Sequence, residues 1–441
     1  MLTGVSPSAT LQAAAHVAWW PLMWICPLVV VLTISGCRDT IIVGPATTTP
    51  PVDTSAPPPV DAGPPLDTVR LSLPTTPQIA SGGKQSCVLR VDGTVVCWGD
   101  WGGIGPTLPT QIPTTVDATG AKVAFALIGV GARLCALSVA GEAFCQTDKR
   151  LSSGVDSAST PRILVRVATR HRFRTMTSGY GTNCALTPAG QGFCWGDGAG
   201  GSLGDGKFGD GHLAPVPIAM ATDLRFRSLA IGGGSLQCAV STTGYAYCWG
   251  SIRSSFGDVP RLDGNCATVF WQYFAGTPCV VPTAVFGAPQ LVMVSTGTEG
   301  SCGIVIDGRA VCWGVGSEGG LGNGSTAPAF SPVLVVGDRV FVSLTMGWWH
   351  VCALTAEHDA YCWGNNFRGY LGRGDRIHST VPVAVAGRLP FASIAAGGAH
   401  VCAITTSGEV WCWGSSDYGQ LGRDRSEGDA YVPIRVALQV Q

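Results

Sequence analysis

Charge is what this chain has least of. Asp, Glu, Lys and Arg make up 12% of its 441 residues, about half the share usual in soluble domains. Basic and acidic residues nearly cancel, 27 against 28. Gripping a phosphate backbone needs a basic excess, so nucleic-acid binding has no electrostatic footprint here. Near-neutrality also argues against long-range steering of a partner and for aromatic and polar contacts. Histidine is sparse: His16, His171, His212, His350, His358, His378 and His400 lie scattered. No nucleophile, base and orienting group fall together. No glycine-rich phosphate cradle follows a strand and opens a helix. The expectation is a protein that is not an enzyme and holds no cofactor and no metal.

Glycine and cysteine are what the chain has in quantity. The 61 glycines are about twice the average share, as turn-rich repeats need. Seven times the sequence writes a cysteine, nine residues and another cysteine. The pairs are Cys87 with Cys97, Cys135 with Cys145, Cys184 with Cys194, Cys238 with Cys248, Cys302 with Cys312, Cys352 with Cys362, and Cys402 with Cys412. Their first members recur at steps of 48, 49, 54, 64, 50 and 50. A period of this size means a repeat architecture.

Each repeat follows one template. A glycine stands five residues before the first cysteine in six units: Gly82, Gly179, Gly233, Gly297, Gly347 and Gly397. The second unit has Val130 there. A turn glycine, or His358 in the sixth unit, stands six residues after it. Trp-Gly follows the second cysteine at Trp98, Trp195, Trp249, Trp313, Trp363 and Trp413, while the second unit has Gln146-Thr147. Short apolar runs around an x-Gly turn are a hairpin signal. A three-residue loop with glycine at positive φ sets the two cysteines opposite each other, within disulfide reach. Seven intra-hairpin disulfides are therefore predicted, which requires an oxidising compartment. His358 is expected to accept the left-handed conformation of the turn glycine it replaces. The six tryptophans read as core pillars.

Two strands are expected to precede each hairpin, as Val381–Val385 and Phe391–Ala395 do in the last unit. Four strands per unit and seven units give the fold class: all-β, a seven-bladed β-propeller of four-stranded antiparallel blades. The stretch Val432 to Leu438 matches a first strand with no unit after it. It is expected to pair with the blade of Cys87 and Cys97 and close the ring.

The repeat Gly397-Gly398-Ala399-His400-Val401-Cys402-Ala403-Ile404, Gly408, Val410-Trp411-Cys412-Trp413-Gly414, Gly419-Gln420-Leu421-Gly422 resembles the regulator of chromosome condensation family. Its Gly-x-Leu-Gly element recurs at Gly201–Gly204, Gly319–Gly322 and Gly369–Gly372, with a weaker copy at Gly102–Gly105. The resemblance runs from about Gln78 to Leu438. It implies a seven-bladed propeller, in agreement with the count of units. The cysteine pairs are additions to the intracellular pattern and resemble a secreted variant.

Upstream, residues 17 to 35 are apolar and lead into Ile34-Ser35-Gly36-Cys37. This resembles the lipobox of bacterial lipoproteins, in which the cysteine becomes the lipidated amino terminus. The positively charged segment usual before an export core is missing, since the first basic residue is Arg38. An uncleaved membrane anchor or an ordinary signal peptide are the alternatives. Residues 38 to 77 carry Thr/Pro runs that favour extended polyproline II and bury no core. The expected organisation is a signal peptide at 1–36, a lipidated Cys37 with a Pro/Thr-rich linker at 37–77, and the propeller at 78–441.

The longest interval, 64, carries an insertion after Trp249, assigned to the connection into the next blade. Cys266 and Cys279 are off the template and are paired with each other. Between them stand Phe270, Trp271, Tyr273 and Phe274. Rigidly held aromatics make binding hot spots, so these four are the ligand-binding candidates; the alternative is that the loop packs on its own blade. His350 and His400 share one repeat position and read as polar turn residues, too few for a metal site. Asp205 to Gly211 reads as a turn rather than a calcium loop.

The resulting expectation is a monomeric, envelope-anchored bacterial lipoprotein, of the outer membrane. It would act as a binding module for a protein or polysaccharide ligand, held to the membrane through lipid, without nucleic acid. Enzyme inhibition by protein binding, guanine-nucleotide exchange, and a propeller lyase or hydrolase are the alternatives.

Overall fold

Each cysteine pair closes the hairpin that its spacing predicts. In the first, Gln85–Leu89 pairs antiparallel with Val95–Asp100 and Cys87 lies opposite Cys97. The connecting loop is Val91-Asp92-Gly93, with Gly93 at φ 81°. His358 takes φ 70° at the matching turn of the sixth repeat. The other six hairpins repeat the arrangement. Cys135 is bonded to Cys145, Cys184 to Cys194, and Cys238 to Cys248. Cys302 is bonded to Cys312, Cys352 to Cys362, and Cys402 to Cys412. In all seven disulfides the Cα atoms stand 4.0–4.1 Å apart. Cys145 and Cys248 are only partly buried, whereas Cys194, Cys312 and Cys362 are fully enclosed between blades.

The computed structural model describes residues 69–100, 106–113, 115–117, 119–146, 163–209, 211–251 and 279–438. These form seven four-stranded antiparallel sheets, each made of strands consecutive in the chain. The blades span residues 78–111, 125–166, 175–219, 226–284, 291–334, 341–384 and 391–435. Within each, the hairpin occupies the two middle positions. In blade 7 the order is Phe391–Ala396, His400–Thr405, Val410–Gly414 and Ala430–Arg435. The protein is a seven-bladed β-propeller. The expected signal segment and the expected lipidation site Cys37 lie outside the described residues.

Two expectations about phase are corrected. The stretch 379–384 is the outer strand of blade 6, not the first strand of blade 7. A repeat period is the same wherever it is cut, so it does not say which strand opens the blade. The carboxy-terminal strand pairs with Val410–Gly414 of its own blade (Cys412 opposite Ile434), not with blade 1. Among the described residues no strand is exchanged to close the ring. Instead blade 7 packs on blade 1 as any blade packs on the next. Val88 and Trp98 of blade 1 belong to one buried cluster with Val401, Trp413 and Leu421 of blade 7.

Blades stack face to face, so their middle strands are buried on both sides. His350–Thr355 is buried at every position. This is why Cys-Ala-Leu and Cys-Ala-Ile runs replace the apolar–polar alternation of a half-exposed strand.

The connections divide between two ends of the ring. One end carries the turns from first to second strand and the loops from third to fourth; we call it the turn face. The other carries the hairpin turns. Residues 69–77, assigned to the linker, already touch this hairpin face. The Leu71 N–H donates to Val139 O in the hairpin turn of blade 2, and Leu71 packs beside Phe173 and Phe193.

Candidate functional site

The turn face is built on seven glycines that touch in a circle. A Cβ on Gly82 would stand 2.1 Å from Gly131 O, and one on Gly131 1.9 Å from Gly179 O. The same holds from Gly232 to Gly297 (2.2 Å) and onward to Gly347, Gly397 and back to Gly82, each at 2.5 Å. Gly179 meets Ile231 and Gly232. No side chain fits, so the inner turns of all blades converge on the axis. Blade 2 is no exception. Its turn is one residue shorter, with the Gly131 N–H donating to Arg133 O, and Gly131 rather than Val130 takes the place. Blade 4 is one residue longer, with Gly232 N–H donating to Leu236 O. Backbone bonds cross between neighbouring turns: Gly398 N–H to Gly82 O at 3.0 Å and Trp348 N–H to Gly398 O at 3.1 Å.

Over this glycine floor lies one large side chain. The Trp348 indole from blade 6 runs along Gly398 of blade 7, Gly83 of blade 1 and Gly233 of blade 4; a Cβ on any of them would come within 2.4–3.5 Å of its ring. Tyr180 of blade 3 faces it with ring centroids 6.3 Å apart. Trp349 meets it edge-on at 5.3 Å. Trp348 thus spans the axis of the ring, leaving a half-buried aromatic surface at the centre of the turn face.

A shallow cleft, open to solvent, lies beside it between blades 5 and 6. Glu299, Ser317, Leu321, Met346, Trp348 and Trp349 line it. Glu299 is half-buried, and burial pushes its carboxyl above the usual range; the nearby Glu318 carboxylate adds to this. The Ser317 hydroxyl and the Trp349 indole are its hydrogen-bonding neighbours and offset part of the effect. Glu318 sits at φ 56°, a conformation uncommon outside glycine, and its carboxylate accepts from the Asn365 side chain.

The ligand-binding candidates Phe270, Trp271, Tyr273 and Phe274 lie outside the described residues, as does Cys266. Cys279 is disulfide-bonded. The insertion is not in the connection to the next blade. It joins Ala246–Ser251 to Cys279–Ala284, third and fourth strands of blade 4. Ser251 pairs with Ser235, next to the inner turn, so both ends of the insertion are on the turn face.

His350 and His400 are corrected too. They begin second strands and are fully buried. Burial lowers their pKa values, to about 4 for His350 and about 3 for His400, where the His350 ring contributes. His400 Nε2 lies 2.7 Å from Ser86 Oγ of blade 1. His350 stacks on Tyr370. The template tryptophans are core, from 0% to 8% exposed. Asp205 is paired with His212. Among the described residues no three His, Cys, Asp or Glu side chains converge to hold a metal.

Trp348, Trp349, Tyr180 and Glu299 were not singled out from the sequence. The available signal was a departure from the repeat: Trp348-Trp349 stands where blades 1 and 7 carry Gly83-Lys84 and Gly398-Ala399.

Residues 307–354, 357–404 and 407–440 match the regulator of chromosome condensation (RCC1) repeat family. A second description of that repeat matches 341–369 and 391–420. The chain is 32% identical over 261 residues to the human E3 ubiquitin-protein ligase HERC2, covering 56% of this chain and 5% of that protein. It therefore spans about a twentieth of the length of this curated relative. Among solved structures, human WBSCR16 superposes with a TM-score of 0.62 at 19% identity, over 76% of this chain and 87% of that one. Yeast RCC1 (Prp20) bound to Kap60 gives 0.64 at 17%, over 84% and 85%. Prp20p from Saccharomyces cerevisiae, described with its binding to Gsp1p and histones, gives 0.61 at 19%, over 83% and 87%. At these identities the likeness is one of fold.

Proposed function

We propose that this chain is an exported binding module whose turn face takes up a protein or polysaccharide ligand. The observation that carries the reading is the gathering of Trp348, Trp349 and Tyr180 at the axis of that face. Half-buried, rigidly backed aromatics supply contact area at little entropic cost. Phe270, Trp271, Tyr273 and Phe274 belong to a segment whose two ends reach the same face, and are proposed as further contacts. A protein of the same fold, yeast RCC1 (Prp20), is known bound to a protein partner, Kap60. Capture from envelope extracts on the full chain tests the reading. Wild type should retain a specific protein or glycan, and replacing the four insertion aromatics by alanine should abolish retention while near-ultraviolet circular dichroism stays unchanged. Retention by neither chain would overturn the reading; equal retention by both would remove the four aromatics from it.

The second half of the proposal is location. Seven disulfides need an oxidising compartment, and the Ile34-Ser35-Gly36-Cys37 motif supplies a site for lipid. Residues 69–77 join the ring on its hairpin face, opposite the aromatic surface. Wild type should partition with membranes after cell fractionation in a bacterial host. Cys37→Ala should either release a soluble form lighter by the lipid mass or leave an unlipidated precursor heavier by its uncleaved signal segment; an unchanged mass would refute the anchor.

A further inference from the structure

The repeat places equivalent positions at every junction between blades, so one junction can be read against another. At the junction of blades 7 and 1, Lys84 from the inner turn of blade 1 lies 4.1 Å from the centre of the Tyr418 ring, in the long loop of blade 7. An ammonium over an aromatic face is a stabilising arrangement. At the junction of blades 5 and 6 the corresponding positions are Trp349 and Glu318, three residues before a first cysteine and one before the Gly-x-Leu-Gly element. Glu299 adds a second carboxylate from the inner turn of blade 5. The junction therefore holds the aromatic wall and two negative groups. Among the described residues no lysine or arginine pairs with either carboxylate; Arg368, in the next loop, is engaged by Asp417 and Asp429.

This arrangement is held in place. Glu318 is fixed by its left-handed backbone and the Asn365 amide. Trp349 is braced edge-on by Trp348, itself pinned over the glycine floor. The cleft is open to solvent and half-buries Glu299 without a counter-charge from its own blades. Like charges brought together beside aromatic rings favour a cation that desolvates against both.

We propose that the cleft between blades 5 and 6 receives a basic side chain, lysine or arginine, of a protein partner. The cationic head lies against Trp349 and between the carboxylates of Glu299 and Glu318, and the aliphatic stem lies on the partly exposed Met346 and Trp348. The inference rests on the turn face being the binding face, and it selects protein over polysaccharide as the ligand.

Saturation-transfer NMR on the full-length chain tests it with the peptides acetyl-Gly-Gly-Lys-Gly-Gly-amide, its arginine counterpart and its norleucine counterpart. The lysine or arginine peptide should show transfer to its side-chain methylenes, and the norleucine peptide should not. The Glu299→Gln/Glu318→Gln double variant should weaken the transfer at least tenfold, and Trp349→Leu at least fivefold, with unchanged thermal midpoints. Equal transfer to norleucine, undiminished transfer in the double variant, or no transfer to wild type would each overturn the proposal. A captured partner that binds the double variant as tightly as wild type would overturn it while leaving turn-face binding standing.

Discussion

His350 and His400 are fully buried in the propeller interior, and this has a consequence for pH. Both are neutral in the folded ring, with pKa values lowered to about 4 and about 3. In the unfolded chain each takes up a proton near pH 6.5. Between these values the unfolded state binds more protons, so folding stability is complete above about pH 6.5 and is lost as the pH falls. Each histidine contributes a slope of up to about 1.4 kcal/mol per pH unit. The carboxylates of Asp92, Asp117, Asp307, Asp375 and Asp424 are held below their ordinary range. Their contribution is lost only below about pH 4. Glu299, raised, works in the opposite sense over the lower part of the window. Gln85 fills the same repeat position in blade 1, equally buried, so glutamine is tolerated there. His350→Gln should therefore roughly halve the decline in thermal midpoint between pH 6.5 and 4.5. A decline of unaltered steepness would show that the histidines do not carry it.

At the scale of the element, the hairpins were legible because everything that makes them lies within a few residues. Cys402, Gly408 and Cys412 fix one turn and one pair, and the pairing follows. The blade was less legible. Val381-Pro382-Val383 reads as a strand but does not say whether it lies outside Tyr361 or inside the next hairpin, since that depends on a long loop's path. Spacing from the cysteine also misled at Val130 and Gly233. The glycine that meets its neighbours is Gly131 in blade 2 and Gly232 in blade 4, because the inner turn can lose or gain a residue while the hairpin stays in register. His350 and His400 were read as turn residues for a related reason. Their burial comes from the adjacent blade, as the Ser86 contact of His400 shows, and a single repeat carries no trace of it. Trp348 and Trp349 were hidden by the strength of the template, which presented their positions as turn filler.

At the scale of the whole molecule, the question is what holds the seventh blade to the first. Many rings share a sheet between their ends; here each sheet is one continuous stretch of chain. The joining element is the contact between the Gly-x-Leu-Gly turn of one blade and the tryptophan of the next. At three junctions the second residue of that turn accepts the indole N–H: Trp413 donates to Tyr370 O at 2.9 Å, Trp249 to Ser202 O at 3.0 Å and Trp98 to Gln420 O at 2.9 Å, whereas Trp363 packs on Gly322 without this bond. The last of these spans the 7–1 junction, and Trp98 is as buried as Trp413. Ser86 to His400 and Gly398 to Gly82 cross the same junction. Closure is therefore one more copy of an internal contact. Replacing any of the three tryptophans by phenylalanine leaves a buried carbonyl without its donor, at about 1–3 kcal/mol. Trp98→Phe should thus lower the thermal midpoint by a few degrees, as much as Trp249→Phe or Trp413→Phe does. Were the ring closed by any other device, Trp98→Phe would be the mildest of the three, because the ends would stay joined without it. Equal losses at all three positions, read by calorimetry on the oxidised protein, identify a ring whose closing junction is as strong as its others.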